Sequence, residues 1–104
     1  MVIVTQIEMP NTLHLLAAAP RFWSVLLPQI HAVWQEGDLI LLIAEGAQGY
    51  NAEVLNQFNR IAVLDSDLAR LEATLEEIPS PIQIATAADW AGWTMQYQRT
   101  ITWR

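Results

Sequence analysis

Six consecutive apolar residues at positions 39–44, Leu-Ile-Leu-Leu-Ile-Ala, constrain the fold more than any other segment. A strand with one solvated face alternates apolar and polar residues, and this run has no polar position. It is also far shorter than the roughly 20 apolar residues of a membrane-spanning helix. Such a run is typical of a strand buried on both faces in a parallel sheet. We therefore predict that residues 39–44 form a central strand.

Strand-like and helix-like segments alternate around this run. Besides a second apolar run at residues 13–17, the sequence predicts strands at 2–7, 61–64, 82–84 and 99–103 and helices at 21–35, 51–59, 65–78 and 86–97. Strands that alternate with helices through short connections imply right-handed crossovers and a largely parallel sheet with helices on both faces. We predict a single-domain, doubly wound α/β fold over residues 1–104, with the strand 61–64 beside or near the central one.

Five positions carry local signals. Pro28 lies inside the helix predicted at 21–35, so that helix is kinked there or its regular part begins there. Gly37 suits a left-handed backbone conformation after the helix. The acidic pair Asp65 and Asp67 offers helix N-caps and favourable negative charge, and Thr86 is predicted to open a capping box.

Composition excludes several classes of function. The net charge is −6, and the five arginines are dispersed in a chain without lysine, so we predict no direct binding to nucleic acid. With no cysteine, the chain has no thiolate metal site, disulfide or persulfide of its own. The first residues lack the basic region and cleavage site of a signal peptide, and no apolar run spans a bilayer. We therefore expect a cytoplasmic location without membrane association.

No catalytic constellation stands out. The loop at residues 46–49 follows a strand but lacks the glycine spacing of a dinucleotide site and the lysine of a P-loop. His14 and His31, the only histidines, have no partner at metal-ligand spacing, and a structural or surface role is the preferred interpretation. We predict no catalytic, cofactor-binding or metal-binding residue. A small enzyme that uses His14 or carboxylates near Glu45 is the weakest of the alternatives.

The apolar excess, 53% of residues, predicts contact with another chain, and tryptophan is enriched at the centres of interfaces. The helix at 21–35 carries two apolar stripes, one of Phe22, Leu26, Ile30 and Val33 and the other of Trp23, Leu27, His31 and Trp34. We expect the more aliphatic Phe22 stripe to cover the sheet. The predicted subunit interface is then formed by Trp23, Leu27, Trp34, Trp90 and Trp93.

Four segments, in order along the chain, match the pattern of one protein family. The first is Leu-His-Leu-Leu at residues 13–16 with Pro20 after it, and the second is Glu-Gly-Asp at 36–38, followed by the apolar strand and Glu-Gly at 45–46. The third is Ala-Val-Leu at 62–64 with Asp-Leu-Ala-Arg at 67–70, and the fourth is the last helix with a terminal Trp103. In these segments the chain resembles the DsrH/TusB family of DsrE-like sulfur-relay subunits.

The resemblance implies a DsrE-like fold and a place in a heterohexamer of three related chains, TusBCD or DsrEFH. The partners would be paralogous TusC/TusD-like or DsrE/DsrF-like subunits. Those complexes pass persulfide sulfur towards 2-thiolation of the tRNA wobble uridine, or act in cytoplasmic sulfur oxidation. Residues 1–12 precede the family's usual start and are predicted to be an edge strand or an N-terminal extension.

The resemblance also implies which role this chain has. In active relatives a cysteine near the start of the helix after the third strand carries the sulfur, and the matching residues here are Asp65, Ser66 and Asp67. Some members carry a cysteine in the first helix, where this chain has Gln29, Ile30 and His31. The expected function is therefore that of a non-catalytic subunit. The alternative is a DsrE-like homo-oligomeric module for ligand binding or interaction outside the relay.

Overall fold

The computed structural model describes residues 11–72, 78–79 and 82–104, in which five parallel strands form one sheet. The strands are β1 (Thr12–Leu16), β2 (Leu39–Leu42), β3 (Ile61–Leu64), β4 (Gln83–Ala85) and β5 (Arg99–Trp103). Their order in the sheet is β4-β3-β2-β1-β5, which places β2 at the centre and β3 beside it. The α/β class and the central position of the apolar run are confirmed. The strand predicted at 2–7 lies outside the described residues.

Helices follow most of the strands. The α-helices are α1 (Trp23–Val33), α2 (Asp65–Ala69) and α3 (Ala87–Gln96), and short 3-10 helices cover Pro20–Phe22, Ala44–Gly49 and Glu53–Gln57. The prediction of an N-cap at Asp65 to Asp67 is wrong, because α2 already begins at Asp65 and Leu64 is its N-cap; the two aspartates lie in its first turn. Residues 73–77 of the predicted 65–78 helix lie outside the described part of the chain.

Three other local predictions can be compared with the backbone. The regular part of α1 begins at Trp23 and continues through Pro28, so it does not start at the proline. Gly37 has φ +96°, in a turn where the N–H of Asp38 donates to the carbonyl of Gln35. The capping box at Thr86 is confirmed, because its hydroxyl accepts from the N–H of Asp89 while the Asp89 carboxylate accepts from the N–H of Thr86.

The two faces of the sheet are covered by different elements. On one face, here called the α1 face, α1 and the 3-10 helices pack on alternate strand residues such as Leu16, Ile40, Leu42 and Val63. On the opposite α3 face, Trp90, Trp93 and Tyr97 of α3 cover the other set, which includes Leu13, Leu15, Leu39 and Leu41. The helix α3 leads from β4 at one edge of the sheet to β5 at the other. Within the described ranges, no helix is long and apolar enough to cross a membrane.

The assignment of the two stripes of α1 is corrected by the structure. The buried residues of α1 are Trp23, Leu27 and Ile30, which come from both stripes and are only 4%, 2% and 0% exposed. Phe22 and Val33 of the stripe expected to cover the sheet are 50% and 44% exposed. Trp23 fits inside because its indole N–H donates to the carbonyl of Ala18 and because Gly49 lies against the ring, where a Cβ would clash. The prediction that Trp23 and Leu27 face a partner is therefore wrong. Trp34, Trp90 and Trp93 are half-buried, and their contact with a partner stays a prediction.

Candidate functional site

A buried histidine on β1 lies at the centre of the most polar cluster inside the fold. His14 is on the α1 face and has no exposed surface, and its Nε2 lies 3.0 Å from Oδ2 of Asp38, which is equally buried. Its other ring nitrogen, Nδ1, accepts a hydrogen bond of 3.0 Å from the indole N–H of Trp103. Because the indole N–H can only donate, Nδ1 is an acceptor. The hydrogen of the neutral imidazole is therefore on Nε2, which donates a hydrogen bond to the Asp38 carboxylate. Both nitrogens of a neutral imidazole are thereby satisfied.

Asp38 owes its position to the turn that joins α1 to β2. Gly37, with its positive φ, lets the chain reverse just before the strand. The carboxylate then accepts three hydrogen bonds, from the N–H of Thr12 at 2.8 Å, from the N–H of Gln35 at 3.1 Å and from His14. Asp38 therefore connects the start of β2, by hydrogen bonds, to β1 and to the turn that follows α1.

Aromatic rings enclose the imidazole. Trp34 stacks on His14 with ring centroids 5.4 Å apart, and the ring of Trp103, which donates to Nδ1, lies beside the imidazole at a centroid distance of 6.1 Å. Phe58 packs on Trp34 in turn, with centroids 4.9 Å apart. The hydrogen bond from Trp103 to His14 was not predicted from the sequence. One available signal was a histidine within an apolar strand, which requires buried partners.

Burial is the main influence on the charge of this histidine. Removal of water lowers the pKa of the His14 imidazole below its usual range, and nearby Arg99 lowers it further. The hydrogen bond and the negative charge of Asp38 act in the opposite direction but do not prevail. Arg99 is held on β5, where its Nε donates to the hydroxyl of Thr12 at 2.7 Å. His14 is therefore neutral near pH 7.

This lowered pKa predicts a loss of stability in mild acid. Below the ordinary histidine pKa of 6.5, the unfolded chain binds a proton at His14 that the folded chain does not. The free energy of unfolding should then decrease with falling pH, by up to about 1.4 kcal/mol per pH unit, until the lower folded-state pKa is reached. Urea denaturation of the wild type between pH 7 and pH 5 measures this slope.

A pair of histidine variants identifies the group responsible for the slope. His14→Gln should lose most of it, whereas His31→Gln, a change on the exposed side of α1, should retain it. Equal slopes for His14→Gln and the wild type between pH 7 and pH 5 would contradict a neutral, buried His14.

The geometry of this cluster favours a structural role over catalysis. His14 and Asp38 have no exposed surface, and each nitrogen of the imidazole already has a partner, so no substrate atom reaches them. Glu45, the other residue considered for an enzyme, is exposed after β2, whereas His14 is fully buried. In the part of the chain that the structure describes, no three His, Asp or Glu side chains form a metal site.

At the carboxyl ends of β2 and β3, the end of a parallel sheet at which ligands often bind, a hydrogen bond joins the loop after β2 to α2. Ala44 has φ +52°, an uncommon conformation for a residue with a side chain, and its N–H donates to Oδ2 of Asp67 at 2.8 Å. The other oxygen of Asp67 accepts from Arg70 at 3.2 Å. Asp67 is thus engaged within the chain in holding the loop after β2.

A cavity of about 200 Å³ lies elsewhere on the α1 face, between the 3-10 helix Glu53–Gln57 and the strand β3. Its lining combines the rings of Tyr50 and Phe58 with the amides of Asn51, Asn56 and Asn59. Aromatic walls with a few amide groups suit a small planar polar ligand. None of these residues was singled out in the sequence.

Comparison with protein-family models gives no match, and no curated protein matches the sequence.

Proposed function

We propose that this chain is a non-catalytic subunit of a sulfur-relay complex of the TusBCD or DsrEFH kind. Its parallel α/β sheet is the architecture expected for such a subunit. The complex would act in the cytoplasm, in wobble-uridine thiolation or in sulfur oxidation, with paralogous subunits that carry the reactive cysteines. This chain would supply structure and contacts.

One observation carries the proposal. Three of the segments on which the family resemblance rests contribute His14, Asp38 and Trp103, and these side chains meet in one hydrogen-bonded cluster. Their positions in the sequence differ by 24 and 89 residues. A chance likeness of short segments has no reason to converge on one buried network. This convergence of the three segments supports the resemblance.

The region that matches the sulfur-carrying position supports a non-catalytic role. Asp65 and Asp67 lie in the first turn of α2, after the third strand, with Ser66 between them. Two adjacent carboxylates would disfavour a thiolate at this place, and the chain has no thiol to ionise. Asp67 instead fixes the backbone of Ala44.

Reconstitution with cysteine-bearing DsrE-like paralogues encoded near this gene tests the proposal. We expect the chain to co-purify with two such subunits in a fixed ratio when the three are expressed together. On incubation with a cysteine desulfurase and cysteine, mass spectrometry should find persulfide sulfur on a paralogue and none on this chain. The complex without this chain is the control, and it should transfer sulfur less efficiently.

Two results would count against the proposal. One is stable covalent sulfur on this chain, and the other is failure of the paralogues to bind it. In the second case, binding of small planar molecules beside Tyr50 would favour the alternative function, a ligand-binding module outside the relay. The observation that favours this alternative is the cavity lined by Asn51, Asn56 and Asn59.

A further inference from the structure

The strand β5 forms one edge of the sheet, and its outer side has no neighbouring strand among the described residues. An open edge presents unpaired N–H and C=O groups, which favour pairing with another strand. β5 has five residues, Arg-Thr-Ile-Thr-Trp, most of them of types that favour strands. The edge is therefore suited to a strand from a partner.

The hydrogen bonds to β1 show which backbone groups of β5 point outwards. The carbonyl of Trp103 accepts from the N–H of Ala17, so the backbone of Trp103 faces β1. Backbone groups of successive residues in a strand point to opposite sides, and the β1–β5 pairing is in continuous register from Arg99 to Trp103. Ile101 and Arg99 therefore also face β1. The outward N–H and C=O groups belong to Thr100 and Thr102.

We infer that two copies of this chain pair through β5 in antiparallel orientation, about a two-fold axis at Ile101. In this register the outward groups of Thr100 in one copy meet those of Thr102 in the other, which is a hydrogen-bonded pair of an antiparallel ladder. The two-fold axis repeats the pair on its other side. All outward backbone groups of both threonines are then satisfied, and the two sheets join into one.

The side chains are compatible with this self-pairing. Ile101 meets its own copy on the α1 face, and Arg99 lies opposite Trp103 of the other copy, where guanidinium and indole attract each other. Threonines face threonines on the α3 face, a favourable cross-strand combination. Arg99 is the only charged residue of β5. In this register the Arg99 side chains of the two copies are not opposite each other, so their positive charges do not repel at close range.

An apolar flank of α1 continues the same surface. Phe22, Val25 and Leu26 line a groove together with Arg104, the residue after β5, so this flank lies on the β5 side of the helix. Phe22 and Val25 are 50% and 63% exposed. A five-residue strand pair alone is smaller than the roughly 1,200–2,000 Å² of a stable interface, and two such flanks beside the axis add to it. The inference does not depend on the proposed function.

Single-cysteine cross-linking tests the register, because the natural chain has no cysteine to interfere. In the purified full chain, Ile101→Cys places two thiols opposite each other with Cα atoms about 4.5 Å apart, within the range of a disulfide. Mild oxidation should convert most of this variant into a covalent dimer. The measurement is non-reducing electrophoresis with mass spectrometry of the linked peptide.

Two further cysteine variants are matched controls for the same strand. In the proposed register, Thr100→Cys lies more than about 7 Å from its own copy and should not cross-link with itself, and the same holds for Thr102→Cys. A mixture of the two should give a cross-linked heterodimer. Efficient self-linking of Thr100→Cys but not of Ile101→Cys would overturn the inferred register.

Proline tests the outward backbone groups without touching the bonds to β1. Thr100→Pro removes one outward N–H per copy, hence two interchain hydrogen bonds per dimer, and should raise the dimer Kd at least about tenfold. Thr100→Ala keeps the N–H and should change the Kd far less. Sedimentation gives the Kd, and tryptophan fluorescence checks the fold. If the proline variant fails to fold, the cysteine series decides, and a wild type that stays monomeric with no Ile101→Cys linkage overturns the inference.

Discussion

Replacing Trp23 with alanine should lower the free energy of unfolding by about 3–5 kcal/mol, the usual cost of deleting a large aromatic side chain from a core. The indole is only 4% exposed, packs against Gly49 and donates to the carbonyl of Ala18. Removal leaves a cavity beneath α1 and an unpaired carbonyl at the end of β1. Urea denaturation followed by circular dichroism gives the change directly.

The neighbouring aromatic residue is a matched control. Phe22 precedes Trp23 in the chain but is half exposed, with the guanidinium of Arg21 lying 4.8 Å from its ring centre. Phe22→Ala should lower the free energy of unfolding by less than about 1 kcal/mol under conditions where the chain is monomeric. If Phe22→Ala proved as destabilising as Trp23→Ala, the burial of Trp23 against the sheet would be wrong.

Replacing Asp38 with alanine should have a comparable effect, a loss of about 3–5 kcal/mol of folding free energy. The variant would leave two buried donors, the N–H of Thr12 and the Nε2–H of His14, and the part-buried N–H of Gln35 without their acceptor. Hydrogen bonds to a charged group contribute about 1.5–3 kcal/mol each, so even partial compensation by water leaves a large deficit. Chemical denaturation at pH 7 measures it.

Asp67→Ala is the control for Asp38→Ala, because it also removes an aspartate whose carboxylate accepts a hydrogen bond from the backbone. Asp67 also accepts from a backbone N–H, that of Ala44, but at an exposed site where water can replace it. We expect a loss of about 1 kcal/mol for this variant. Similar losses for the Asp38 and Asp67 variants would show that burial of the cluster around His14 has little energetic weight.

The centre of the sheet was predictable from the sequence because its determinants are local. Residues 39–44 and 61–64 are apolar on both sides of a strand, and the pattern alone requires cover on both faces. The capping box at Thr86 is equally local, since its partners are three residues apart. Such features depend only on residues that are close together in the sequence.

The orientation of α1 was not predictable in the same way. The helix has two apolar stripes at helical spacing, and the choice between them depends on what the rest of the chain offers. Trp23 faces the sheet because Gly49 leaves room for its ring and Ala18 supplies an acceptor for its indole. Neither condition is visible in the periodicity of residues 21–35, and the buried face of α1 combines Trp23 and Leu27 of one stripe with Ile30 of the other.

The buried cluster illustrates the same limit for the site. His14, Asp38 and Trp103 looked unrelated, because their distances in sequence are large and each has an ordinary local interpretation. An aspartate directly before an apolar strand, and a histidine within another, were the available signals of a buried polar pair. Their contact follows only from the parallel pairing of β1 with β2 and β5.

The position of β5 beside β1 has a consequence for synthesis of the chain on the ribosome. Thr12 and Arg99, which pair across these strands, are separated by 87 residues, so nearly the whole domain must emerge before the contact forms. β1, β2 and β3 can associate earlier because their pairings span shorter loops. Until β5 arrives, the nascent chain exposes one edge of β1 and an imidazole that still lacks the indole donor of Trp103. Until this late pairing forms, the β5 side of β1 is open to wrong strand pairing.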